Sequence, residues 1–270
     1  MTAIEVTEKE YLSNKSSHEY FVKNELVNPD LFKIFEYCNI NGVKPNVTIN
    51  GDSMSEKYYN LLVKHCGAVA VSFYDDDICF NAVKELSKRG LKQVNIHCML
   101  SETTYDDCFE LMKKTKTDSR LKDLNAIVFL LMKPKGNRNH YKQLRDKKKY
   151  GELVKYAIDN GISVGFDSCG CPAFVEWAKE NGHEDLVQLT ESCESLDTSV
   201  YVSCDGRVMP CSFCDSKDKP GIDITNIKSS EDFVKDVWNS KMSEDFRESK
   251  KLNIDKNGCI NCPKFNLYME

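Results

Sequence analysis

A chain of 270 residues, 41% hydrophobic and 29% charged, is long enough to bury its own core and falls among ordinary globular proteins. A formal net charge of -5 argues against general coating of nucleic acid, and no apolar run approaches the roughly 18 residues that cross a bilayer. Thirteen cysteines, an odd number, follow an N-terminus with neither a basic nor an apolar signal region; this excludes a disulfide-built secreted protein and makes a reducing cytoplasm the expected compartment, with thiols free to bind metal.

Residues 1–28 show weak periodicity and no motif, and read as a lead-in. Asn28 and Pro29 read as the N-cap and first residue of a helix whose apolar face is Leu31, Phe32, Phe35 and Cys38 and whose stop is Gly42. From there to about residue 181 short β-type runs alternate with amphipathic helical runs. Strands are expected at 46–50, 68–72, 93–99, 126–132 and 162–167. Helices are expected from Ser53, where Ser53 and Glu56 spell a capping box, and at 78–89, 104–115, 149–160 and 173–181. About five parallel strands are too few for a closed eight-stranded barrel, so the expected fold is α/β, an open partial (βα) barrel. Ligand-binding loops then belong at the C-terminal strand ends: Asn50-Gly51, Ser72 to Tyr74, His97 to Leu100, Lys133-Pro134, and Asp167 to Cys169.

After residue 190 the pattern changes. Residues 199–203 and 207–209 flank Asp205-Gly206, a strong hairpin turn signal, and a helix with Phe233, Val237 and Trp238 on one face leads towards Cys259 and Cys262. Cys193, Gly206 and Cys211 are separated by twelve and four residues, and Cys259-Ile-Asn-Cys262 closes the set. Thiolates are soft, strongly donating ligands, and four gathered from a hairpin and a tail suit an iron–sulfur cluster. Zinc is the competing ion: Cys211-x2-Cys214 and Cys259-x2-Cys262 form two CxxC knuckles, although their 44-residue separation exceeds usual zinc-ribbon spacing. Cys38, Cys66, Cys79, Cys98 and Cys108 read as small buried hydrophobes, and Cys204, alternating with Val202 on the hairpin, as packing or as a support beside the cluster ligands.

The Cys193-x12-Gly206-x4-Cys211 spacing, in the context SVYVSCDGRVMPCSF and followed by Cys259-x2-Cys262, resembles the auxiliary-cluster region of radical S-adenosylmethionine enzymes, of the SPASM or shorter Twitch type. VTING, VAVSFYD and VFLLMKPKGN are similar to the third, fourth and sixth strands of that family's partial barrel. The resemblance implies a partial radical SAM barrel over 29–168 and a SPASM/Twitch-like hairpin-and-helix cap over 169–270. It implies one auxiliary 4Fe-4S cluster on Cys193, Cys211 and Cys262, with Cys259 or Cys169 as the fourth ligand, and S-adenosylmethionine contacts at Asn50, Ser72 and His97.

The family's Cys-x3-Cys-x2-Cys loop is absent, since no two cysteines here have three residues between them. The register implies a chain beginning near the third strand: the auxiliary-cluster portion of a split or truncated enzyme, with a second polypeptide supplying the missing half. Its substrate would be a small molecule, peptide or nucleotide, and the alternative is a noncatalytic iron–sulfur or zinc module on the same scaffold.

Bland readings stand beside these. Asn50-Gly51 is a good turn, Ser72 can bond its own backbone, and a lone histidine such as His97 is commonly structural. Between Lys133 and Lys149 eight basic residues face one acid; the loop could attract an anion, but we read it as a solvated connection. Asp75, Asp76 and Asp77 read as an acidic helix start, not as a calcium loop. GxxxxGK, GxGxxG and GxSxG motifs are missing.

Overall fold

The structure, a computed structural model, describes residues 30–135, 139–191, 193–214, 221–253 and 269. The expected helix start at Asn28 and Pro29 lies outside these residues. Alternation begins with α1 (Leu31–Ile40), β1 (Asn46–Ile49), α2 (Glu56–His65), β2 (Ala68–Ser72) and α3 (Asp76–Lys88). It continues through β3 (Gln93–Leu100), α4 (Tyr105–Thr117), β4 (Ala126–Leu131), α5 (Lys147–Asp159), β5 (Val164–Phe166) and α6 (Cys171–Glu180). The five strands lie in the order β1-β2-β3-β4-β5, each beside its predecessor in sequence, as short βα crossovers dictate. The α/β class and the five parallel strands are those expected. The helices expected at 78, 104, 149 and 173 start one or two residues away, and Ser55, not Ser53, caps α2 by accepting from the Tyr58 N–H at 3.3 Å, while Ser53 adopts a positive φ of 51°.

Two compact units make up the chain. The first comprises Met1–Met99, Asp106–Phe129 and Ala157–Gly165. In it β1 pairs with β2 and β2 with β3, with Val47 opposite Val69, Val71 opposite Ile96, and Ser72 opposite His97. Period-two alternation sorts the sheet into two faces. Val69, Val71, Val94, Ile96 and Cys98 are buried along with Phe80, Val83 and Leu86 of α3 and Leu111 of α4. Thr48, Ser72, Asn95 and His97 stand on the other face, half-buried and polar. The acidic start of α3 behaves as expected: Asp75 accepts from the Ile78 N–H at 3.0 Å, and Asp76 and Asp77 pair with Lys114 and Arg120.

The second unit comprises Leu100–Tyr105, Leu130–Tyr156 and Phe166–Glu270. Its core includes Leu131, Leu144, Tyr150, Leu153, Trp177 and Val208. Gly151 lies inside α5 because any side chain there would stand 2.7 Å from the Trp177 ring of α6. The expected hairpin is present as β6 (Tyr201–Val202) and β7 (Arg207–Met209), Val202 opposite Val208, and β8 (Ile222–Asp223) adds an unforeseen third strand. A turn of α7 (Ser230–Phe233) runs into a π-helical turn, Val234–Trp238, with Val237 buried. Then comes α8 (Lys241–Asn253), which the apolar pattern does not announce. Among the described residues no helix is long and apolar enough to cross a membrane.

Candidate metal centre

The hairpin presents Cys211. Gly206 occupies the turn with φ +73°, a left-handed conformation glycine adopts without penalty, and its carbonyl accepts from the Ile224 N–H at 3.0 Å. Antiparallel pairing holds β7 through Met209, and Cys211 follows two residues later. The chain turns tightly after it, with the Cys214 N–H donating to the Cys211 carbonyl at 3.0 Å. This brings the two sulfurs to 3.7 Å.

The Cys211 thiol is pulled down to about 6, chiefly by its contact with the Cys214 thiol and also by the backbone N–H groups of Phe213 and Cys214. Burial and the charge of Cys193 push the other way. Cys193 is therefore near enough to Cys211 to be felt electrostatically. A thiol that gives up its proton this readily is a ready ligand for a soft metal.

Cys193 precedes a compact loop in which the N–H groups of Asp197, Thr198 and Ser199 all donate to the Glu194 carbonyl. Lys250 of α8 donates to the Cys193 carbonyl at 2.8 Å. The CxxC turn is held from another side, where Lys135 donates to the Phe213 carbonyl at 2.8 Å and the Lys133 ammonium lies 4.8 Å from the Phe213 ring centre. Lys133, its side chain 3% exposed, also pairs with Asp167, which accepts from the N–H groups of Leu131 and Gly170. Much of the basic loop is thus spent on internal pairing: Lys147 with Glu176 and Glu180, Lys149 with Glu102. Lys133 is a buried structural cation, which corrects the reading of the whole loop as solvated.

Cys169 is half-buried beyond β5, and Cys171 is buried at the start of α6 with its thiol pushed up by burial. Cys66, Cys79, Cys98 and Cys108 are buried and Cys38 is partly so, as small hydrophobes, but Cys204 is exposed and does not pack. Cys259 and Cys262 lie outside the described residues. Among the described residues no three His, Cys, Asp or Glu side chains form a group that could hold a metal ion.

In the first unit, Ser72 at the C-terminal end of β2 is the cross-strand neighbour of His97, which lies three residues before the end of β3, with Thr48 Oγ1 3.5 Å from His97 Nδ1. Asn50 follows β1 and turns the chain, its side-chain oxygen accepting from the Asp52 N–H at 3.1 Å. Lys133 and Asp167 are legible in the sequence only as strand-end positions and Lys250 not at all, because nothing in a sequence marks a charged side chain as buried. Cys214 was visible as a CxxC partner.

Residues 193–263 match the family model described as SPASM, an iron–sulfur cluster-binding domain. This segment is similar to SPASM domains. The SPASM match begins at Cys193 and takes in Gly206, Cys211, Cys259 and Cys262. Over 90% of the chain the fold is similar to the crystal structure of Streptococcus suis SuiB, with 14% identity and a TM-score of 0.58, covering 63% of the SuiB chain. No curated protein matches the sequence. The expected SPASM-type resemblance of the cysteine region is borne out by the family-model match, and the likeness to SuiB bears on the fold.

Proposed function

We propose that the chain is the auxiliary-cluster portion of a radical S-adenosylmethionine enzyme, holding a single 4Fe-4S cluster. The carrying observation is that the SPASM hairpin sets Cys211 as a low-pKa thiol within electrostatic range of Cys193. Cys262 completes the protein's main ligands, with Cys259 or Cys169 as the fourth. Such a cluster, when bound, supplies an electron-accepting or substrate-binding site. Soft thiolates fit that group, and α8 supports it: Lys250 is bonded to the Cys193 carbonyl, and Cys259 follows Lys250 by only nine residues.

Asn50, Ser72 and His97 would contact S-adenosylmethionine at the strand ends, with a second polypeptide supplying the Cys-x3-Cys-x2-Cys loop. A small molecule, peptide or nucleotide would be the substrate. Anaerobic reconstitution with iron and sulfide should give a brown protein with about four irons per chain, the content of one cubane cluster. With reductant and S-adenosylmethionine, 5'-deoxyadenosine should form only when the second polypeptide is added. Product from the isolated chain would refute the split-enzyme reading, and a colourless chain would refute the cluster.

One observation favours a second reading, a zinc-binding module. The 3.7 Å between the Cys211 and Cys214 sulfurs is close to the edge of a tetrahedral zinc–thiolate site, about 3.8 Å for bonds of about 2.3 Å. Cys193→Ser should abolish an iron–sulfur cluster and spare zinc, and Cys214→Ser should do the reverse.

A further inference from the structure

Lys250 is a lysine where a lysine is costly. Its side chain is 3% exposed, and its ammonium donates to the carbonyls of Cys193 and Ser195, both at 2.8 Å, and to Asp197 Oδ2 at 2.5 Å. Three N–H groups meet three acceptors, so the cation is fully satisfied, and all three acceptors belong to the single loop that begins at Cys193. One turn earlier on α8, Arg247 donates to the Leu196 carbonyl of the same loop at 3.0 Å and to the Trp238 carbonyl at 2.9 Å.

The loop so gripped is itself strained. Leu196 is fully buried at φ +60°, a left-handed conformation that a side chain other than glycine's adopts only under constraint. Two cations from one helix hold it there. A hydrophobic residue at 250 would pack α8 against the loop without fixing where the Cys193 carbonyl points. An ammonium fixes that and also brings positive charge one peptide away from a cluster ligand.

We infer that Lys250 is a positioning residue for the metal centre: it sets the Cys193 loop and lends its charge to the cluster that Cys193 binds, with Asp197 partly offsetting that charge. This rests on the cluster reading above. Thiolate-ligated clusters carry net negative charge, and their potentials follow nearby charges and hydrogen bonds, so a cation close to a ligand eases reduction.

The test is redox titration of the reconstituted full-length chain, followed by its visible and paramagnetic resonance spectra, for wild type, Lys250→Met and Asp197→Asn. Lys250→Met should lower the midpoint potential and reduce the iron retained after desalting at least twofold. Asp197→Asn should raise the potential; its side chain is 49% exposed, an asparagine oxygen still accepts from Lys250, and the carbonyls of Cys193 and Ser195 remain, so this is the milder of the two variants. Opposite shifts are beyond a merely structural role. An Asp197→Asn potential that is unchanged or lowered overturns the inference, as does a folded Lys250→Met chain with wild-type iron content and potential. A wild-type chain that takes up no iron overturns the cluster reading and this inference with it.

Discussion

In the metal-free chain the Cys211 thiol should behave unlike its buried neighbours in sequence type. Pulled down to about 6, it is mostly thiolate at neutral pH, whereas burial pushes Cys66 up to about 11 and Cys79 up to about 12. Alkylation by iodoacetamide, read by peptide mass, should therefore modify Cys211 with a half-maximal rate near pH 6 and leave Cys66 and Cys79 untouched in the native state. The same shift has a sign for stability. An acid whose folded pKa is depressed contributes fully above its unfolded value, here 9.0, and that contribution is lost as the pH falls through about 6. Cys66 and Cys79 act oppositely, weakening the fold once the pH exceeds 9.0, where the unfolded thiols ionise and the folded ones do not. Denaturant midpoints at pH 6, 8 and 10 should thus peak in the middle, and Cys211→Ser should flatten the acid side. Cys204→Ser, at an exposed thiol, should change neither iron binding nor stability.

The ends of β4 and β5 are joined through Lys133 and Asp167, and removing one member leaves the other charge with no ionic partner. Asp167→Asn should cost about 3–5 kcal/mol in urea unfolding, while Asp75→Ala, which removes only the α3 cap, should cost about 1 kcal/mol. Equal effects would show that the Lys133 ion pair is no more than a surface bond. Most of these elements were readable before any coordinates, because strands and helices from residue 46 to 180 each present an apolar face of the right period. The failures have a common cause. Helix α8, KMSEDFRESKKLN, buries Ser243 and Lys250 where a typical helix buries leucines, so no apolar periodicity betrays it. Strand β8 is two residues long and carries no alternation to detect.

For the chain as a whole, metal binding and folding should be coupled on one side only. A metal that binds the folded state alone stabilises it by mass action, and the proposed ligands Cys193 and Cys211 belong to the second unit. Hydrogen exchange of the reconstituted protein, compared with the chelator-stripped form, should show added protection at 193–211 and in Lys241–Asn253, with Ala68–Ser72 and Gln93–Leu100 unchanged. Protection spreading evenly over both units would contradict that division of labour. Loss of iron should likewise lower the unfolding midpoint of the second unit and leave that of the first in place.

Cysteine spacing, the Asp-Gly turn and the βα rhythm are local properties, and they were enough to name the SPASM region, the α/β class and five parallel strands. The environment of each thiol is set by the folded chain. Cys211 becomes a thiolate donor only when the turn to Cys214 closes on it, and a buried lysine from a polar helix grips the Cys193 loop only because residues 53 to 57 positions apart meet through packing. Desolvation and hydrogen bonding act across space, so these properties emerged only when the chain was folded.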